Sequence, residues 1–524
     1  MHEIYTKAAK VPLIAESNQK IVKNTLALYF RQIITMAVAL FTSRIVLQEL
    51  GVTDYGVNNI VGGVVGMFGF LSGTLTRITQ RFISVEMGKG GNPDILQKIF
   101  STSMILHIAA GVIIIILAET AGLWFLNNKL VIPAERMIAA NWVYQFAVFS
   151  FVISLLNAPL TALIISHEDM HVYGYMGLFD VVMQLTVAYS LTIVKSDKLV
   201  FLASFGFAIM CAVWLIYFIY CRKKYQEAKF KFAYDGSLAK ELRGFGGYVL
   251  VTNIFWILRT HGINILLNIF FGPAINAARG LANSVNFALQ SFCNNFRQAI
   301  VPQITKSCAA NDTGVMWNLV ERGNRMSYFL LFIFSIPVLL ETEFILKLWL
   351  GNVPEYTTIF VKLIIIEALL SGRMHGIADV VYATGKLKTW QSVSYAINTL
   401  LLVLSYLTCK AGYPPQYVMA VYPFAGILFL PLWIMLAKKL FNFPVKRFIK
   451  ESTVPVILVF AVSFLPFYYT EKLTPASPLY SCAIILASML WTGIAILLIG
   501  LKKEERIAII TFAKRKIGWE IKNT

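Results

Sequence analysis

Charge is scarce in this chain. Asp, Glu, Lys and Arg make up 14% of its 524 residues and hydrophobic residues 57%, whereas a soluble domain carries about 25% charged residues. That shortage excludes an ordinary soluble domain and leaves a polytopic membrane protein. Cysteine is sparse as well. Cys211, Cys221, Cys293, Cys308, Cys409 and Cys482 form no CxxC pair and have no His at ligand spacing, which excludes a disulfide framework and a metal site of ordinary type. Acids are few, 27 against 46 Lys and Arg, for a net charge of +19. The basic residues cluster between apolar runs, as orientation signals do, so no nucleic-acid partner follows. The turn His167, Glu168, Asp169, Met170, His171 brings two His and two acids together, and it reads as a solvated loop rather than a metal site. No positioned nucleophile, acid–base pair or cofactor motif stands out, so an enzyme is not expected. A selectivity filter is lacking, which argues against a channel. So is a sizeable outer loop, the longest being near 122–138, which argues against a polytopic polymerase or ligase.

What the chain has instead is apolar runs of membrane-crossing length, about 20 residues each. They lie near 25–47, 57–78, 99–121, 139–164, 173–194, 199–220, 248–271, 281–304, 326–346, 357–383, 390–408, 416–437, 453–469 and 479–500. The first follows Lys7, Lys10, Lys20 and Lys23 and exceeds signal-peptide length without a small-residue cleavage pattern, so it reads as a retained helix. The expected fold is all-α with about 14 transmembrane helices and, by the positive-inside rule, both termini cytoplasmic. A hydrophilic segment at 221–247 divides the chain after six spans. The expected organisation is a cytoplasmic N-terminus (1–24), a six-helix bundle (25–220), a linker (221–247), a second six-helix bundle (248–437), two accessory helices (453–500) and a basic tail (501–524). Six spans per half would relate the bundles by a pseudo-two-fold axis along the membrane normal.

Polar residues inside these spans fall on single helix faces. Asn283, Asn286, Gln290, Asn294 and Arg297 recur at steps of three and four, and such a stripe cannot face hydrocarbon. It must face protein or water, and the terminal Arg favours the wall of a hydrophilic cavity. Asn24, Arg31, Thr35 and Thr42 share a face of the first span; Asn253, Thr260, Asn264 and Asn268 share one of the seventh, with Arg259 about 100° away. The tenth span carries Lys362 and Arg373 on one side and Glu367, Ser371, His375 and Asp379 on another. Arg31, Arg259, Arg297 and Arg373 are costly to keep in a membrane, and an anionic or strongly hydrogen-bonding substrate would offset that cost. The pattern therefore reads as a transporter with a cationic interior. Its candidate substrate-binding residues are Arg31, Thr35, Asn253, Arg259, Asn264, Gln290, Asn294, Arg297 and Arg373. Asp180, Glu367 and Asp379 are candidates for coupling to an H+ or Na+ gradient, with no other cofactor and no metal expected.

Several local patterns also resemble a family. The run from Arg44 to Gly56, the Gly-rich second span ending in Thr79, Gln80, Arg81 and Phe82, Asn157-Ala-Pro159 leading to His167 through Met170, Phe271-Gly272-Pro273 with Ala278-Arg279-Gly280, and Ala383-Thr384-Gly385-Lys386 resemble Wzx-type polysaccharide flippases of the multidrug/oligosaccharidyl-lipid/polysaccharide exporter superfamily, over about residues 20–440. The resemblance implies an alternating-access carrier moving undecaprenyl-pyrophosphate-linked oligosaccharide between leaflets of the bacterial inner membrane. It further implies membrane lipids and the polysaccharide polymerase machinery as partners. Arg31, Arg259 and Arg297 match the family's cationic cavity, with Gln290 and Asn294 as sugar contacts. A cation-coupled multidrug antiporter of the same superfamily and a non-transporting envelope scaffold are the competing readings; Asp180, Glu367 and Asp379 keep the former open.

Overall fold

Asn92, Asp197, Asp312 and Ser477 each accept a hydrogen bond from a backbone N–H in the first turn of the helix that follows. These side chains satisfy donors that a helix start leaves unpaired, and they mark where loops end and membrane helices begin. The structure is a computed structural model describing residues 10–88, 92–167, 169–229, 236, 260–309, 312–384, 387–473 and 477–507, with side chains of the first helix described from Thr35. Most of the 221–247 linker and of the basic tail lies outside the described residues.

In chain order the helices are α1 (Lys10–Gly66), α2 (Gly69–Gly88), α3 (Pro93–Leu117, continued through a π turn into Leu123–Lys129), α4 (Met137–Ser166), α5 (Met170–Ser190), α6 (Lys198–Lys224) and α7 (Thr260–Phe271). There follow α8 (Pro273–Ala309), α9 (Thr313–Leu340), α10 (Thr342–Leu350), α11 (Thr357–Ser371), α12 (His375–Thr384), α13 (Leu387–Lys410), α14 (Pro415–Leu428), α15 (Leu430–Phe441), α16 (Val454–Leu473) and α17 (Pro478–Ala495). The chain is nearly all helical, with no strand among the described residues. Eight of the described helices are long and apolar enough to cross a membrane, nine if the bent pair α14–α15 is one span. Over their described residues the remaining predicted spans are helical but shorter, more polar or interrupted. The second breaks after Gly66, where helix bonding gives way to turns at Met67 and Phe68. The tenth breaks at a 3₁₀ turn over Gly372–Met374. Gly51, at φ 74 and ψ 171, kinks α1 between the first two predicted spans, a conformation that a residue with a Cβ would resist.

The chain divides into two compact units, one of residues 1–281, 354–356 and 394–418, the other of 282–353, 357–393 and 419–524. In the first, α4 is the central pillar, packing on α1, α2, α3 and α6. Val143, Tyr144, Phe151 and Leu155 fill the core around one stretch of it, and Leu160, Leu163 and Ile164 join Phe100 and Tyr217 further along. In the second, α9 takes that place, with α11, α12, α16 and α17 around it. Phe329, Phe332 and Ile336 of α9 meet Val456, Val459 and Ile484. The two accessory helices, α16 and α17, carry almost no ionisable residue. They nevertheless pack directly on α9, through apolar side chains and small buried hydroxyls such as Ser463, Ser488 and Thr492, which need no charge.

Candidate functional site

Within the second unit the polar stripe of α8 turns toward α9, α11 and α12. Gln290 and Arg297 line a small cavity of about 30 Å³ with Asn324, Tyr328, His375 and Asp379, room for roughly one water. The Arg297 guanidinium donates to Asp379 Oδ1 at 2.8 Å and to the His375 carbonyl at 3.4 Å. Its Nε is buried without a hydrogen-bond partner among the described residues. Asn294, one turn before Arg297, is exposed. Gln290, Arg297 and Asp379 are thus brought together, although the sequence assigns two to substrate and the third to a coupling ion.

Arg373 lies elsewhere. The 3₁₀ turn after α11 carries it to a second cavity of about 600 Å³, between α9, α11 and α16. Lys362, about three turns earlier on α11, lines the same cavity, as the shared face of the two cations anticipates. Tyr328 closes one side, its hydroxyl donating to the Leu369 carbonyl. Another wall is a ladder of aromatic rings on α16: Phe460 stacks on Phe464 at 5.3 Å, and Phe464 on Tyr468 at 5.6 Å. The lining is chiefly apolar, with neither cation ion-paired to a carboxylate within 4 Å among the described residues. Glu367 shares α11 with Lys362 but lines neither cavity. Sequence reasoning does not single out the α16 ladder. The only signal for it is aromatic residues at i, i+4 and i+8, a pattern that lipid-facing helices also produce.

The first unit holds a separate polar knot. Arg279, 8% exposed, donates to Asn264 Oδ1 at 2.8 Å and to the Thr260 carbonyl at 3.2 Å. Asn276 donates to the Asn264 backbone carbonyl at 2.8 Å. Asn264, a candidate substrate contact, is here bound to protein, and Asn268 on the same face clasps the backbone of Val131, accepting from its N–H at 2.8 Å. The neighbouring packing is close. A Cβ at Gly56 would run into the Pro273 carbonyl, and one at Gly280 would come within 2.5 Å of Asn59 Oδ1. Arg279 and Asn276 escape the sequence reading as site residues because they sit in a short segment of small residues rather than on a polar stripe. Thr35 is half-buried on α1. Asp180 on α5 accepts from Gln184 at 2.9 Å. The Arg31 side chain, Asn253 and Arg259 lie outside the described residues.

At the ends of the helices the charges pair with one another. His167 bonds Glu227 at 2.5 Å and Asp169 bonds Lys224 at 2.6 Å, so these two residues of that turn tie it to the end of α6 and the segment after it. No group of three or more metal-ligating side chains exists among the described residues.

No protein-family model matches the sequence, and no curated protein is detectably similar to it. Solved structures are similar. The lipid II flippase MurJ in an inward closed conformation aligns with 90% of this chain and 98% of its own at a TM-score of 0.66 and 12% identity. An inward-facing multidrug resistance MATE family transporter of the MOP superfamily aligns with 78% of this chain and 96% of its own, at 0.61 and 12%. The MATE multidrug transporter DinF-BH aligns with 80% and 95%, at 0.58 and 15%. These are transporters and a flippase, not enzymes. At such identities the likeness is one of fold: the chain is a multi-pass membrane protein with the fold of these carriers.

Proposed function

We propose that the chain is an alternating-access flippase, built on two six-helix bundles with two accessory helices. It carries undecaprenyl-pyrophosphate-linked oligosaccharide units across the bacterial inner membrane for surface polysaccharide such as O-antigen or capsule. The observation that carries this reading is the cavity of about 600 Å³ in the second unit, apolar along the α16 rings and cationic at Lys362 and Arg373. That is the chemistry of an amphiphile with a long hydrocarbon chain and an anionic link, since guanidinium and ammonium groups suit phosphate. The likeness to a lipid II flippase supports a lipid-linked cargo. Gln290, Asn294 and Arg297 are then the sugar and phosphate contacts of a conformation in which Arg297 leaves Asp379. Asp379 freed of its cation, with Asp180 and Glu367, would take up the coupling H+ or Na+. The polysaccharide polymerase machinery is the expected consumer of the flipped unit.

The likeness to two multidrug carriers and the carboxylate of Asp379 favour a second reading, cation-coupled drug efflux. Accumulation of lipid-linked repeat units on the cytoplasmic leaflet of a strain lacking the protein separates the two. Accumulation that a wild-type copy relieves, and an Arg373→Ala or Lys362→Ala copy at equal membrane abundance does not, supports the flippase. Normal turnover in the deletion strain, with no second flippase to compensate, would turn the assignment to drug efflux.

A further inference from the structure

The first unit contains a cavity that the carrier reading does not use. It is about 550 Å³ in volume and lies between α3, α4 and α6, with Met104, Ile108, Leu156 and Trp214 among its apolar walls and Arg222 and Lys229 at the basic end of α6. Apolar walls with a cationic rim match two different portions of one amphiphilic molecule.

The surrounding charges do not satisfy the rim. Asp169 is taken by Lys224 and Glu227 by His167, and among the described residues Arg222 and Lys229 have no carboxylate within 4 Å. The Arg222 guanidinium instead turns back over the Phe218 ring, 5.8 Å from its centroid, and Phe218 in turn stacks on Trp214 at 5.4 Å. The indole N–H of Trp214 is buried and has no acceptor among the described residues. The arrangement thus presents two cations for a phosphate and an apolar chamber for a chain.

We infer that this cavity binds an anionic diacyl phospholipid of the surrounding bilayer. Arg222 and Lys229 hold its phosphate, and an acyl chain lies along Met104, Ile108, Leu156 and the Trp214 ring. The site is formed within one unit and does not depend on what the protein carries.

The test uses the purified full chain in mixed micelles and the quenching of tryptophan fluorescence by lipids with brominated chains. Brominated phosphatidylglycerol is expected to quench a component that Trp214→Phe lacks. Brominated phosphatidylcholine should need a mole fraction higher by roughly fivefold or more, the preference one basic residue gives at an anionic surface. An Arg222→Gln, Lys229→Gln double variant, checked for unchanged elution as a monodisperse protein, should keep the quenchable component and lose the preference. Equal quenching by the two lipids, or a preference that survives the double variant, overturns the proposal. Displacement of the brominated lipid by inorganic phosphate alone would also overturn it, in favour of a free-anion site. None of these readings involves transport, so failure here leaves the flippase assignment standing, and failure of that assignment leaves the lipid site standing.

Discussion

Arg297 and Asp379, 82 positions apart in the chain, meet at 2.8 Å inside the second unit, with their side chains 22% and 12% exposed. The pair neutralises a cation that would otherwise stand alone at membrane depth, and it joins α8 to α12. In this conformation the charge of Arg297 is satisfied within the protein, and an anion could claim it only by competing with Asp379.

Arg297→Ala and Asp379→Ala should each destabilise the protein, by roughly 2–4 kcal/mol, because each leaves a partly buried partner uncompensated. An Arg297→Met, Asp379→Leu double variant should recover most of that loss, since an apolar pair of similar size removes both desolvation costs. Thermal unfolding of the four detergent-purified proteins reads the cycle, and a double variant less stable than both single ones would refute the ion-pair account. On the proposed flippase function, polysaccharide export should be lost in Arg297→Ala and stay lost in the double variant, separating stability from carriage.

Gly56→Ala should be more damaging than its size suggests. The added methyl meets the Pro273 carbonyl, which is backbone and cannot rotate away. Overpacking of this kind costs typically 1–3 kcal/mol. Gly62→Ala, where a Cβ would meet nothing within 4 Å, is the control and should be close to neutral or slightly stabilising. Equal melting temperatures for the two variants would show that α1 and the start of α8 are not in the contact described.

These two pairs also mark what the sequence could tell. Helices were legible because an apolar run of about 20 residues admits little else in a membrane, and the caps Asn92, Asp197, Asp312 and Ser477 stand where runs begin. The stripe through Gln290 and Arg297 was legible because helical periodicity puts them on one face. Its partner was not: nothing local distinguishes Asp379 from any other intramembrane acid, and their pairing depends on how α8 meets α12. The motif residues Asp54, Gly56, Gly272, Pro273, Arg279 and Gly280 stood out by resemblance, without a physical role. Packing supplies one for several: Gly56 and Gly280 allow close approach to Pro273 and Asn59, and Arg279 ties α8 to α7 through Asn264 and Thr260. The cavity with Lys362 and Arg373 escaped because its apolar wall on α16 has the composition of a lipid-facing surface.

The junction of Arg136 with Asp54 and Asp197 predicts an acid dependence. Arg136 bonds each carboxylate at 2.7 Å. The hydrogen bond from Arg136, above all, holds Asp197 below its ordinary carboxylate range, against the opposing effect of partial burial. A group depressed in the folded state stabilises it fully above its unfolded value, and the contribution fades as pH falls through the lower, folded value. The stability difference between wild type and Arg136→Gln should therefore be largest at neutral pH, at most about 1 kcal/mol after solvent screening. It should shrink on acidification below the usual carboxylate range. Melting curves from neutral to strongly acidic pH check this, and a difference that grows toward acid would contradict it.

Arg325 offers the sharpest test of how α17 is held. It is 2% exposed, and its guanidinium donates to both oxygens of Glu505, at 2.6 and 2.5 Å, and to the Glu451 carbonyl at 2.6 Å. A single cation on α9 therefore fastens the chain segments at the start of α16 and just after α17. Removing Glu505 leaves a buried guanidinium with only a carbonyl, a loss of about 3–5 kcal/mol when a buried pair is broken. Glu505→Ala should loosen the segment after α17 first, and hydrogen exchange should speed up there before it does along α4, which belongs to the other unit. Arg325→Met with Glu505→Leu should restore protection, because neither side then carries an uncompensated charge. Unchanged exchange after α17 in Glu505→Ala would mean that the apolar packing of Ile484 against the α9 core suffices, and that the ion pair adds only direction to a contact already made.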